Sequence, residues 1–176
     1  MIKICLDTNA ILDICYRYYP VEKFQWIWDG LLAQKSSRFI CFYICRSIEE
    51  EVRDQIERYN YDPEVYEHFL STFQPTIVHP DEHGQKTSDF KTDLLTCPIA
   101  DRSPHVNEDN YADLDIVSLG SHFANNGFVL TSEQKTPNIN WERRGAHKGI
   151  KVPNLAERYG VNCGSWINLI DQLGLS

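Results

Sequence analysis

The sequence predicts an α/β fold with three layers (α/β/α) around a central parallel sheet of about four to five strands. Short apolar segments alternate along the chain with longer segments in which apolar residues recur at helical spacing. Strands that alternate with helices form parallel sheets covered by helices on both faces. The length of 176 residues and a hydrophobic content of 42% suit a single domain over residues 1–176.

The first part of the chain predicts two strands, each followed directly by a helix. Residues 2–6 (IKICL) form a short buried strand, and the next segment, DTNAILDICYRYYP, carries apolar residues at helical spacing. A second helix follows over residues 21–35. Residues 38–44 (RFICFYI) are rich in aromatic and β-branched residues, which is typical of a buried strand. The helix over residues 46–59 comes next, with Ser47 as its expected N-cap.

The second part of the chain repeats this alternation after a polar interruption. Residues 81–110 are polar and show little periodicity, so we expect a long irregular excursion with one helix near residues 90–95. The other expected elements are helices over 62–73, 110–127, 152–160 and 165–174, and extended segments over 75–80, 128–133 and 161–163.

The composition limits the classes of function. A formal net charge of -8 argues against nucleic-acid binding through one continuous basic surface. It does not exclude a nucleic-acid enzyme, because divalent metal ions inside a site can reverse the local sign. The chain has no apolar run long enough to span a bilayer and no signal-peptide pattern, so we expect a cytoplasmic protein without a membrane partner.

Carboxylates collect at positions that the predicted fold brings to one edge of the sheet. In doubly wound sheets, ligands bind beyond the carboxyl ends of the strands. Carboxylate oxygens suit Mg²⁺ or Mn²⁺, and such ions hydrolyse phosphodiesters by activating water. The acids in question are Asp7, the run Glu49–Glu51, Asp113, Asp115 and Glu133.

These acids have a second interpretation as solvated helix starts, since Asp and Glu favour the first turn of a helix. That interpretation suits the run Glu49–Glu51 well. It suits Asp7 less well, because Asp7 follows an apolar strand and precedes Thr8 and Asn9, whose side chains can cap a helix and orient the carboxylate.

Several segments together resemble the PIN-domain ribonucleases, the fold of the VapC toxins of bacterial toxin-antitoxin pairs. The segment ICLDTNAIL resembles the first motif of that family, and ADLDIVSLG with GFVLTSE resembles the third and fourth. In one PIN-like branch the resemblance extends to YYPVEKFQWIWDGL, SIEEEV and KVPNLAERYGVNC. It covers most of the chain except roughly residues 60–105.

The resemblance implies a set of clustered acids that hold Mg²⁺ or Mn²⁺ and cut RNA. By position, the implied metal ligands are Asp7, Glu51, Asp113 and Asp115, and the implied catalytic acids are these four with Glu133. Glu51 is favoured because it directly precedes an apolar residue, and Glu50 is the alternative. Asp113 is favoured over Asp115, although the two need not face the same way on a helix.

Polar and basic residues beside these acids are candidates for contact with the substrate. Thr131 and Ser132 are consistent with a cap at the end of a strand as well as with a phosphate contact. The basic loop NWERRGAHKGIK is consistent with a solvated surface as well as with a phosphate contact. The implied substrate-binding residues are Thr8, Asn9, Thr131, Ser132, Arg143, Arg144 and Lys148.

The expected function is therefore a Mg²⁺- or Mn²⁺-dependent endoribonuclease, the toxin of a toxin-antitoxin pair. The resemblance also implies a cognate antitoxin protein and a homodimer. Two alternatives stay open at this point. One is a catalytically silent PIN-like module that binds RNA or protein, and the other is a DNA or flap nuclease with the same metal chemistry.

Overall fold

One all-parallel sheet of five strands forms the centre of the computed structural model, which describes residues 1–98, 112–144 and 149–175. The strands are ordered β3-β2-β1-β4-β5. Helices flank the sheet, so the predicted α/β fold with a parallel central sheet is confirmed. The strands are β1 (Ile2–Leu6), β2 (Ile40–Cys45), β3 (Thr76–Val78), β4 (Gly127–Leu130) and β5 (Asn162–Gly164).

The helices alternate with these strands along the described chain. They are α1 (Thr8–Leu12), α2 (Val21–Ser36), α3 (Arg46–Tyr59), α4 (Pro63–Phe73), α5 (Pro80–Thr96), α6 (Ala112–His122), α7 (Val152–Arg158) and α8 (Trp166–Gln172). A π-helical turn over Asp13–Arg17 continues α1, and a 3₁₀ turn over Ala124–Asn126 precedes β4.

Strand β1 lies at the centre of the sheet and is apolar on both faces. Ile4 is paired with Phe42 of β2 on one side and with Phe128 of β4 on the other. Ile4, like its successors Cys5 and Leu6, is fully buried, as expected for a parallel strand covered by helices on both faces. Because this apolar strand ends at Leu6, the next residue, Asp7, lies at the carboxyl edge of the sheet.

The prediction of an irregular stretch over residues 81–110 is wrong for the part that the structure describes. Helix α5 spans 17 residues there, from Pro80 to Thr96. Pro80 stands at the start of the helix, where its missing N–H is tolerated. Part of the buried stripe of α5 is polar, with His83 and Thr87 ahead of Leu94. A search for apolar periodicity misses such a helix.

Ser47 does not cap α3, contrary to the sequence prediction. The N-cap of α3 is Cys45, and the Ser47 hydroxyl instead donates a hydrogen bond of 2.8 Å to Oδ2 of Asp115 on α6. This contact ties the first turn of α3 to the first turn of α6. No helix in the described part of the chain is both long and apolar enough to cross a membrane.

Candidate active site

The strand order reverses between β1 and β4, and this point of reversal carries the candidate site. The residues that follow the two strands, Asp7 and Thr131, stand side by side, because Leu6 is paired with Leu130 in the sheet. The Asp7 N–H donates to the Leu130 carbonyl at 3.0 Å and so continues the sheet by one bond. Crevices at such reversals are the usual ligand sites of open parallel sheets.

Asp7 is a buried carboxylate with a strongly perturbed pKa. Its side chain accepts a hydrogen bond of 2.7 Å from Oγ1 of Thr131, and only 3% of the residue is exposed. The pKa of Asp7 is raised to about 7, chiefly by burial and also by the neighbouring charges of Asp113, Glu133 and Glu51, while the Thr131 hydrogen bond opposes the rise. Asp7 is the N-cap residue of α1, but its side chain makes no capping bond, so helix capping does not explain the carboxylate.

Glu51 joins the site through Thr8 of the neighbouring helix α1. The Thr8 hydroxyl donates a hydrogen bond of 2.7 Å to Oε2 of Glu51, and the Gln55 amide lies 3.4 Å from Oε1. Thr8 therefore orients the second acid, whereas Thr131 orients Asp7. Among the described residues, the contacts of the Glu51 carboxylate are hydrogen bonds, without an ion pair.

The other acids of the run Glu49–Glu51 are paired with arginines. Glu49 is buried and contacts Arg46 at 2.8 Å and Arg53 at 2.6 Å. Glu50 is exposed and contacts Arg46 at 3.0 Å. Of the three acids, Glu51 is thus the one that acts on the charges of Asp7 and Asp113.

Asp113 and Asp115 both lie in the first turn of α6, but the structure separates them. Asp113 joins Asp7, Glu51 and Glu133 in one acidic cluster. Its pKa is raised to about 7, chiefly by burial and then by repulsion from Glu133 and Glu51, while Lys151 opposes the rise. Asp115 is buried elsewhere and accepts hydrogen bonds from Ser47 at 2.8 Å and Thr87 at 3.1 Å. Its place is therefore a polar contact between α3, α5 and α6.

Glu133 is held by groups at the start of α7. The Lys151 ammonium donates to Oε1 at 2.8 Å, and the backbone N–H of Val152 donates to Oε2 at 2.9 Å. The Glu133 N–H in turn donates to the Thr131 hydroxyl at 3.1 Å. Both carboxylate oxygens of Glu133 thus have a protein partner, and the residue connects Lys151 to the hydroxyl that holds Asp7.

The predicted substrate contacts that the structure describes divide into three groups. Thr8 and Thr131 are buried and orient acids, as described above. Asn9 accepts a hydrogen bond of 3.2 Å from Arg17, and Ser132 donates one to Asp13, so both contact the segment after β1. Arg143 and Arg144 are exposed, and neither is among the charges that shift the pKa of Asp7 or Asp113. Lys148 lies outside the described residues.

The donors of the cluster fit a hard divalent cation in chemistry and in charge. The charges of Glu51 and Glu133 repel those of Asp7 and Asp113, and Asp113 also repels Asp7. Among the described residues, Lys151 attracts the charges of both aspartates. A divalent cation would offset the repulsion that raises the pKa values of Asp7 and Asp113. In the described part of the chain, no three His, Cys, Asp or Glu side chains lie close enough together to form a ready metal site.

Sequence reasoning missed three residues that hold the segments around these acids. Lys151 contacts Glu133, as given above. The buried side chain of Asn154 accepts hydrogen bonds from the N–H groups of Thr136 (3.1 Å) and Lys151 (3.2 Å), so it joins the loop after β4 to the start of α7. Asp13 is buried under the Ser132 hydroxyl. The one signal in the sequence for the first two is their place within KVPNLAERYGVNC.

Comparison with known proteins assigns the family without adding an activity. A search of the curated proteins finds no match to the chain. The family model described as "Domain of unknown function (DUF4411)" matches residues 4–176, so the chain belongs to the DUF4411 family.

Proposed function

We propose that this protein is a Mg²⁺- or Mn²⁺-dependent endoribonuclease of PIN type, acting in the cytoplasm as the toxin of a toxin-antitoxin pair. The observation that carries the proposal is that Asp7 and Asp113 lie at the reversal point between β1 and β4 together with Glu51 and Glu133, whose charges raise the pKa values of both aspartates. Carboxylates concentrated in this way are unfavourable for the protein alone. A role in holding a cation gives a reason for their arrangement. The resemblance of the surrounding segments to PIN-domain ribonucleases supports the choice of RNA as substrate.

Asp7, Glu51 and Asp113 would hold the metal ion in this proposal. A divalent ion supplies activation of water at neutral pH and offsets the charge of a phosphodiester. Thr131 and Thr8 hold the Asp7 and Glu51 carboxylates in fixed orientations through hydrogen bonds of 2.7 Å each. Rigid outer hydrogen bonds of this kind keep carboxylate ligands in position. A cognate antitoxin protein would inhibit the enzyme, and a homodimer is the assembly that the resemblance implies.

Calorimetric titration with Mn²⁺ tests the site without knowledge of the substrate. We expect wild type to bind Mn²⁺ and the variants Asp7→Asn and Asp113→Asn each to lose affinity by at least about tenfold, because each removes a charged ligand. Asp115→Asn is the matched control: it makes the same chemical change two residues from Asp113, but at hydroxyl contacts to α3 and α5. Equal Mn²⁺ affinity in all four proteins would refute the shared site.

Cleavage assays then separate the proposed enzyme from a binding module. We expect Mn²⁺-dependent cutting of single-stranded or structured RNA, loss of cutting in Asp7→Asn, and weaker cutting of single-stranded DNA and flap substrates. The module alternative is favoured by one observation, namely that no three acids of the described residues form a ready metal site. RNA binding that is equal with metal and with chelator, together with no cleavage by wild type, would establish the module instead.

A further inference from the structure

Lys151 carries the positive charge that the structure places among the acids of the candidate site. Its ammonium is 2.8 Å from Oε1 of Glu133, and it acts on the charges of Asp113 and Asp7. Among the residues that the structure describes, Glu133 is the side chain that accepts a hydrogen bond from this ammonium. A lysine ammonium has three N–H donors, so two remain for another acceptor.

The backbone around Lys151 is fixed from two sides. Asn154, itself 2% exposed, accepts a hydrogen bond from the Lys151 N–H at 3.2 Å. The next residue, Val152, donates its N–H to Oε2 of Glu133 at 2.9 Å. Glu133 therefore holds the lysine through its ammonium and through the adjoining backbone at the same time. This arrangement positions a cation at the site before any ligand arrives.

The ammonium is also accessible from outside the cluster. The Lys151 side chain is 45% exposed, whereas that of its partner Glu133 is 17% exposed. An ion pair whose only role was to neutralise Glu133 would not require an exposed ammonium with two donors that the described residues leave unused. An anionic ligand approaching Asp7 and Asp113 would meet four carboxylates, and Lys151 is the described cation that acts on that cluster. A substrate with a phosphate backbone needs such a contact.

We propose that Lys151 binds a phosphate of the RNA strand, and that Glu133 is its positioning residue rather than a further metal ligand. The inference deepens the proposed function, and it rests on it for the identity of the substrate. Lys151 differs from Arg143 and Arg144, the exposed residues that the sequence suggests as phosphate contacts, because its ammonium is hydrogen-bonded to Glu133. Phosphate contacts of this type position the strand without reading its sequence.

The test is binding of a fluorescein-labelled single-stranded RNA oligonucleotide, measured by anisotropy in EDTA over a series of salt concentrations. We expect Lys151→Met to weaken binding by about tenfold, the worth of one charge-assisted hydrogen bond. The slope of log affinity against log salt should become shallower by about 0.7, since one phosphate contact is lost. Lys151→Arg keeps the charge and should keep most of the wild-type slope.

Lys135→Met is the matched control. Lys135 forms an ion pair with Glu157, and both side chains are about half exposed or more, so the substitution removes the same charge and a lysine–glutamate contact elsewhere on the surface. We expect it to leave affinity and slope near wild type. If Lys151→Met and Lys135→Met have the same effect, the ammonium acts only through net charge and the inference is overturned. Absence of RNA binding by wild type also overturns it.

The Mn²⁺ titration keeps the two proposals apart, because RNA binding is measured without metal. A normal Mn²⁺ response with no specific effect of Lys151→Met would overturn the phosphate contact and leave the metal site standing. The reverse result, no Mn²⁺ binding but a specific loss in Lys151→Met, would overturn the nuclease and leave Lys151 as a nucleic-acid contact.

Discussion

Replacing Asp7 by Asn should make the metal-free protein more stable at alkaline pH. The reason lies in the sign of the pKa change. Burial and the neighbouring acids raise the pKa of Asp7 to about 7, so the folded state holds its proton more tightly than the unfolded chain does. Stability therefore falls as the pH rises from the unfolded pKa, about 4, through the folded pKa. Asn carries no charge, so the variant does not lose stability in this way as the pH rises.

The magnitude follows from the size of that change. The pKa rises from 3.8 to about 7, and a tenfold change in proton affinity is worth about 1.4 kcal/mol, so the ceiling is about 4 kcal/mol. Asp113 has its pKa raised to about 7 as well, and part of the effect on Asp7 is repulsion from it. Because coupled acids share their titration, we take about half the ceiling, or about 2 kcal/mol at pH 8.

Thermal unfolding of wild type and Asp7→Asn in EDTA, from pH 4 to pH 8, measures this difference. For a chain of this length, about 2 kcal/mol corresponds to a rise in Tm of about 4–8 °C in the variant at pH 8. The difference should vanish near pH 4, where folded Asp7 is protonated. Added Mn²⁺ should raise the Tm of wild type far more than that of the variant. A variant that is less stable than wild type at pH 8, or a difference independent of pH, would refute the reasoning.

Two further substitutions test the packing that supports the site. Gly127→Ala should lower the free energy of unfolding by about 3 kcal/mol or more, since its new Cβ would lie 2.0 Å from the Gly120 carbonyl oxygen. Gly84→Ala is its control: nothing lies within 4 Å of the new Cβ, and a helical Gly replaced by Ala should stabilise by about 0.5–1 kcal/mol. Asp115→Ala should lower the free energy of unfolding by about 2 kcal/mol, because it removes the acceptor of the half-buried Ser47 hydroxyl and one polar partner of the buried Thr87 hydroxyl. Urea denaturation of each variant measures these changes, and a neutral Gly127→Ala would contradict the packing of α6 on β4.

The elements around the site could be predicted closely because their patterns are local. The predicted strand over residues 2–6 and the predicted helix over residues 46–59 match β1 and α3 residue for residue. Buried parallel strands are short apolar runs, and α3 carries a clear apolar stripe. The sequence predicts only residues 90–95 of helix α5, because His83 and Thr87 stand at buried positions where an amphipathic helix usually carries apolar residues. Polar residues in a buried stripe need partners from elsewhere in the chain, and a local pattern cannot show them.

The local sequence pattern also could not decide between Asp113 and Asp115. Residues two apart on an α-helix point about 200° apart, so the two carboxylates could not both face Asp7. Which of them does so depends on the rotation of α6 against the sheet. That rotation is set by contacts distant in sequence, including the hydrogen bond between Ser47 and Asp115. The candidate acids were therefore accessible to sequence reasoning, whereas their separation into a cluster and a structural contact was not.

The different partners of Glu49 and Glu51 indicate that the acidic cluster does not follow simply from the acidic composition of the protein. The two residues lie on the same helix, two positions apart, and the chain has arginines with which to neutralise acids. It uses Arg46 and Arg53 on Glu49, at 2.8 and 2.6 Å. Among the described residues, the partners of Glu51 are a hydroxyl and an amide instead, and Glu51 adds to the charge that raises the pKa of Asp7. A fold selected for stability alone would gain from a cation at Glu51. Its use of neutral donors there preserves negative charge at the reversal point of the sheet, which is what a site for a divalent cation requires.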